Sequence, residues 1–158
     1  MSLKTRPARA DDARRIAELI NYHAERGRML HRSLESVYEN LRAFQVAEED
    51  GRIVGCVAVG LFWSDLAEVK SLAVDPAEQG RGVGGKLLQA AIADARRLGL
   101  KRLFALTYET GFFERAGFRK IDRGTLPEKV WRECVACPKA DQCDEVAMIL
   151  MLDETSGG

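Results

Sequence analysis

At 158 residues, 46% of them hydrophobic, the chain is long enough for one packed domain and too short for an array of them. Lys and Arg together number 24, as do Asp and Glu, so no strong net field points to nucleic acid or an acidic membrane surface as partner. No stretch is long and apolar enough to span a bilayer, and Met1 to Pro7 lacks the apolar core of a secretory leader, so the expected compartment is the cytoplasm.

Weak alternation over Leu3 to Ala8 predicts a first strand. Asp11 and Asp12 stand where a helix cap belongs, ahead of Ala13, Ile16, Ala17, Ile20 and Ala24 at helical spacing. Arg26-Gly27-Arg28 ends that helix. Ser33 is placed to cap a second, short one through about Leu41. Strands follow over Ala43 to Glu48 and Ile53 to Phe62, joined by the hairpin signal Asp50-Gly51. Trp63-Ser64-Asp65 breaks the run. A fourth strand is predicted from Glu68 to Val74, stopped by Asp75-Pro76.

The clearest helix runs from Gly82 to about Leu98, with Val83, Leu87, Ala91, Ala95 and Leu98 as its apolar stripe and Gly99 as its stop. Arg102 to Thr107 reads as a buried strand and Thr110 to Ala116 as a short helix ended by Gly117. Phe118 to Asp122 reads as a strand. Leu126 to Glu145 is irregular, Val146 to Leu152 is a last strand, and residues 153–158 read as a disordered tail. With no repeat or linker in evidence, residues 1–158 form a single domain in this reading.

Gln79-Gly80-Arg81-Gly82-Val83-Gly84-Gly85 lies between a strand and the start of the long helix. Glycines allow backbone amides to converge, and a helix N-terminus adds unpaired donors and partial positive charge. Such a loop suits a phosphate or pyrophosphate. A nucleotide P-loop is excluded, because Lys86 is followed by Leu87 instead of Ser or Thr. The dinucleotide pattern is met literally by Gly80, Gly82 and Gly85, with Glu109 as a later acid. That pattern, however, opens its domain with a strand running straight into the first glycine, and here a run of hairpin strands comes first. The pyrophosphate of coenzyme A is the remaining ligand reading, beside that of a turn that binds nothing.

Val69 to Pro76, then Gln79-x-x-Gly82-x-Gly84, then an amphipathic helix, resembles the acetyl-CoA signature of the Gcn5-related N-acetyltransferases (GNAT). Phe112-Phe113-Glu114-Arg115-Ala116-Gly117-Phe118 resembles that family's second motif. The resemblance covers nearly the whole chain. It implies an α/β fold with a mixed central sheet of about seven strands, flanked by four helices and splayed at the cofactor cleft. It also implies acetyl-CoA as cosubstrate: Leu72, Ala73 and Val74 along the pantetheine arm, Gln79, Gly80, Arg81, Gly82, Val83 and Gly84 at the pyrophosphate, and Phe113 in the second cofactor motif. Many members carry a Tyr that protonates the leaving thiolate; here Phe113 occupies the place, so Thr107 and Tyr108 are the candidate donors. Glu68 is the candidate base, because direct attack on a thioester needs a neutral amine.

A closer similarity is to the acetyltransferase domain of N-acetylglutamate synthases. It rests on Gly27 to Ser33, Leu103 to Thr107, Phe112 to Phe118 and Leu126-Pro127-Glu128-Lys129. It implies an amino-acid acceptor, L-glutamate, and a place in arginine biosynthesis. Arg32, Arg28 and Lys70 are the candidate partners of its carboxylates. A homodimer is the assembly it suggests, with no separate arginine-sensing domain expected. Another small amine or a protein N-terminus is the alternative acceptor, and a non-catalytic acyl-CoA sensor is the alternative class. His23 and His31 are read as surface residues. Cys134, Cys137 and Cys143 have the spacing of a partial zinc site, with Cys56, Asp144, a histidine or water as the fourth ligand. A reduced, packed loop without metal is preferred.

Overall fold

The computed structural model describes residues 3–126 and 145–152. Its elements in chain order are β1 (Leu3–Pro7), α1 (Ala13–Ala24), α2 (Leu34–Glu39), β2 (Phe44–Glu49), β3 (Arg52–Trp63), β4 (Leu66–Val74), α3 (Val83–Arg97), β5 (Arg102–Thr107), α4 (Thr110–Arg115), β6 (Arg119–Lys120) and β7 (Val146–Met151). Short 3-10 turns cover Ala10–Asp12, Leu41–Ala43, Pro76–Glu78 and Arg123–Thr125. The strands form a seven-stranded sheet in the order β1-β2-β3-β4-β5-β7-β6. It is mixed: β4 pairs with β5 in parallel, whereas β1 with β2, β2 with β3, β5 with β7 and β6 with β7 are antiparallel. Among the described residues no helix is long and apolar enough to cross a membrane.

The chain divides into two compact units, one of Met1–Val59 with Val69–Asp94 and the other of Gly60–Glu68 with Ala95–Gly158. In the first, Asp50 and Gly51 both take positive φ, 53° and 78°, as a tight β2–β3 hairpin requires. Ile16, Leu19 and Ile20 of α1 pack with Val37, Phe44, Val46, Cys56, Ala58 and Ala73. Each large apolar side chain enclosed this way contributes about 1.5–3 kcal/mol.

Asp12 does not cap α1. It accepts from the Arg9 amide at 2.7 Å and from Arg6 at 2.8 and 3.2 Å, tying β1 to the turn ahead of the helix. Burial pushes the Asp12 carboxyl upward, but Arg6 and the Arg9 amide outweigh it and hold the group below its ordinary value. Ser33 does cap α2, accepting from the Ser36 amide at 3.0 Å, although the helix stops at Glu39.

Helix α3 comes close to the sheet at Gly55 of β3. A Cβ placed there would meet Leu87 Cδ1 at 2.7 Å, the Ala73 carbonyl oxygen at 3.2 Å and Val83 Cγ1 at 3.2 Å. The glycine is therefore required by space. The helix ends at Arg97, Gly99 turns the chain with φ 82°, and Leu100 is buried in place of the predicted Leu98, which is 45% exposed.

In the second unit β4 begins at Leu66, two residues before the prediction, and its parallel register runs from Leu66–Arg102 to Glu68–Phe104. Leu66, Phe104, Ala147, Ile149 and Leu126 form a cluster joined by Phe62, Leu106, Ile121 and Met151. The amides of Lys101 and Arg102 both donate to the Asp65 carbonyl, at 3.2 and 2.9 Å, fixing the start of β5. Strand β6 keeps only two of the five positions predicted for it. The predicted tail lies outside the described residues, as does all of the cysteine segment except its end residues Leu126 and Glu145.

Candidate active site

The glycine loop leads from the turn at Pro76–Glu78 into the N-terminus of α3. Asp75 caps the turn before it, accepting from the Ala77 amide at 2.9 Å, and Gln79 is extended. Gly80 and Gly82 then adopt φ of 85° and 82° with nothing within 4 Å of a hypothetical Cβ, so conformation and not crowding demands glycine there. The Lys86 amide donates to the Gly82 carbonyl at 3.1 Å, the first bond of α3. The amides of Val83, Gly84 and Gly85 precede it and have no carbonyl one turn back within the helix. Gln79, Gly80, Arg81 and Gly82 are exposed. The Arg81 side chain is committed elsewhere, to Glu49 and Glu78, so only the backbone of Arg81 fits the predicted phosphate role.

In the same unit, β4 carries a backbone outlier. Ser71 has φ 57°, which costs a non-glycine residue roughly 1–2 kcal/mol. Its carbonyl accepts from the Cys56 thiol at 3.5 Å. A left-handed residue inside a strand turns the next peptide, that of Leu72, out of the ladder's alternation. Ala73 is buried in the α1 core, and the Val74 carbonyl lies 2.8 Å from His23 Nε2.

His23 is buried, contrary to its predicted surface place. The Arg28 guanidinium can only donate, so the His23 Nδ1 it meets at 2.9 Å accepts, and Nε2–H donates to Val74. The two ring nitrogens thereby take opposite roles, one accepting and one donating. His31 is exposed as expected.

The predicted acceptor cations differ in their setting. Arg32 is half-buried, donates to Ser36 Oγ at 3.2 Å and lies 5.8 Å from the Phe44 ring centroid. Its backbone is held on both sides by the Asn21 amide, at 2.8 and 2.9 Å. Arg28 is an exposed residue tethered to His23, and Lys70 is half-buried on β4. Asn21, His23 and Ser71 were not expected at the site. Only His23 left a trace in the sequence, by falling on the same helical stripe as Ile16 and Ile20.

In the second unit Glu68 is the third residue of β4, not its first, and is 7% exposed. Alternation places it on the face of Leu66 and Phe104. Thr107 ends β5 on the opposite face, with Leu103 and Ala105, and accepts from the Glu109 amide at 2.8 Å. That bond orients the hydroxyl and leaves its hydrogen to donate. Tyr108 lies past the strand end and is 41% exposed. Phe113 is buried in edge-to-face contacts with Phe112 and Phe118, at 5.3 and 5.1 Å between centroids. Its ring is thus a packing element of α4.

Among the described residues no group of three His, Cys, Asp or Glu side chains is placed to hold a metal. Cys134, Cys137 and Cys143 lie outside those residues. Cys56, a candidate fourth ligand, lies in the core beneath α1 and donates to the Ser71 carbonyl, and burial pushes its thiol up to about 12.

Comparison with known proteins yields consistent matches. The model of the acetyltransferase (GNAT) family matches residues 10–118. An uncharacterized N-acetyltransferase of Chlorobaculum tepidum is 40% identical over 93% of this chain and 95% of its own length. An amino-acid acetyltransferase of Mycobacterium tuberculosis is 39% identical over 81% of this chain and 75% of its own. Among solved structures, N-acetylglutamate synthase from Neisseria gonorrhoeae, complexed with coenzyme A and N-acetyl-glutamate, superposes with a TM-score of 0.86 at 33% identity. That match covers 96% of this chain and 35% of the larger one.

Proposed function

Because the chain belongs to the acetyltransferase (GNAT) family, we propose that it transfers the acetyl group of acetyl-CoA to the amine of an amino acid, L-glutamate before others. The observation that carries the reading is the continuous run from Glu68 to Gly84: an enclosed carboxylate, a left-handed Ser71, then a glycine loop opening a helix. A base, a reoriented amide and a pyrophosphate cradle in that order suit direct attack on a bound thioester.

In this mechanism Glu68 takes a proton from the ammonium, directly or through water, and the neutral amine attacks the thioester carbonyl. The Leu72 amide, turned by Ser71, stabilises the charge that develops on the carbonyl oxygen. The C–S bond breaks as the amide forms; Thr107 supplies a proton to the departing sulfur and recovers one, directly or through water, from the nitrogen, which loses its remaining extra proton on becoming an amide. The backbone from Gln79 to Gly84 holds the pyrophosphate.

The acceptor reading is supported by the amino-acid acetyltransferases among the relatives and by the N-acetyl-glutamate complex of the Neisseria enzyme. Arg32 and Lys70 are the cations assigned to the acceptor carboxylates. Arg28 is given the lesser role of holding His23. Arginine biosynthesis is the setting in which such a product is used.

The test is thiol release from acetyl-CoA with a panel of amines that includes L-glutamate and L-glutamine. Release with glutamate supports the full reading, and release with other amines alone rejects the acceptor. Glu68→Gln should lower kcat by about 10²–10⁴ with CoA binding kept. Unchanged turnover in that variant rejects Glu68 as base.

A further inference from the structure

The glycine loop contains one arginine, and its charge is already spent. Arg81 Nη1 and Nη2 reach the two oxygens of Glu49 at 3.0 and 2.9 Å, and Nη1 also meets Glu78. Glu49 ends β2 and Glu78 closes the turn before the loop; their side chains are only 11% and 10% exposed. Glu78 continues to Arg52 at 3.1 Å, Arg52 to Asp75 at 3.7 Å, and Asp75 to Arg15 at 2.5 Å. Carboxylate and guanidinium groups thus alternate along a row from α1 to the loop. Single surface pairs contribute little, but a bidentate pair with enclosed carboxylates inside a network is held more firmly.

An acidic wall beside an anion cradle is unfavourable unless something cancels it. We infer that Arg81 is a positioning residue that acts through Glu49 and Glu78: it neutralises the carboxylates flanking the loop, so that backbone amides and not the guanidinium hold the pyrophosphate. The inference rests on the acyl-CoA reading above. Removing the guanidinium leaves a nearly enclosed carboxylate uncompensated beside a multiply charged anion, a repulsion worth roughly tenfold in affinity. Removing Glu49 as well restores neutrality.

The experiment is calorimetric titration of CoA into the whole chain and into two variants, with thermal midpoints measured alongside. Arg81→Gln should bind CoA about tenfold more weakly, and the Arg81→Gln/Glu49→Gln double variant should return to within about threefold of the wild type. Both variants lose the same ion pair, so a merely structural role would make affinity follow the midpoint in each. A double variant as weak as Arg81→Gln overturns the inference, because the guanidinium would then touch phosphate itself. So does Arg81→Gln binding like the wild type. A wild-type chain that takes up no CoA rejects the acyl-CoA reading and this inference with it; wild-type binding with an unrestored double variant rejects the inference alone.

Discussion

Replacing Gly55 by alanine should test how α3 is seated. The new methyl would lie 2.7 Å from Leu87 Cδ1 and 3.2 Å from both the Ala73 oxygen and Val83 Cγ1. Carbon atoms sit comfortably at about 3.5–4.0 Å, so Leu87 has to retreat by roughly 1 Å. Leu87 is fully enclosed, and the Ala73 oxygen belongs to the backbone, so neither gives way cheaply. Overpacking of this kind costs about 1–3 kcal/mol. Urea denaturation should show that loss. Because Ala73 lies on β4 and Val83 opens the helix behind the glycine loop, the KM for acetyl-CoA should rise as well. Adding Leu87→Val, which withdraws a methyl group from the same spot, should recover part of the loss. Stability within about 0.5 kcal/mol of the wild type would refute the claim that space demands glycine at this position.

Other outcomes follow from single bonds. Thr107→Val keeps the shape but removes the hydroxyl, so kcat should fall about 100-fold if Thr107 protonates the thiolate, with Thr107→Ser largely active; equal activity in the Val variant would exclude that role. His23→Leu leaves the Val74 carbonyl unpaired and should cost about 1–3 kcal/mol, read by thermal or chemical unfolding. Asp12 and Asp75 have depressed pKa values, Asp12 despite its burial and Asp75 chiefly through the Ala77 amide. Depressed carboxylates stabilise the fold fully above the unfolded value of about 3.9 and lose that contribution as pH falls through their folded values. An acid unfolding profile should therefore be flat above about pH 5 and steepen below 4, and Asp12→Asn should reduce the steepening.

Legibility in the sequence followed the strength of the local signal. Gly80, Gly82 and Gly99 announced positive φ, and each adopts it. Asp50-Gly51 made its hairpin for the same reason. Periodicity found α1 and α3 but carried the stripe of α3 one residue too far to Leu98, because the turn at Gly99 hands the buried place to Leu100. Ser71 could not be foreseen: nothing in its composition marks a left-handed residue inside a strand, and only tertiary packing sustains one. Asp12 looked like a cap because caps are read from residue type, whereas Arg6, six positions earlier, claimed its carboxylate. The partner of Arg81 was equally hidden, since Glu49 is far away in sequence and is brought near only by the β2–β3 hairpin.

Cys56 is fully enclosed, and at neutral pH its thiol stays protonated against the Ser71 carbonyl. Alkylating reagents attack thiolates that they can reach, so in the native state this sulfur is silent. It becomes reactive only when the segment around the Ser71 kink opens. The rate at which Cys56 is alkylated, read site by site by mass spectrometry, is therefore a clock for breathing of the strand that we assign to the thioester. A bound acyl-CoA should slow that clock without touching the sulfur.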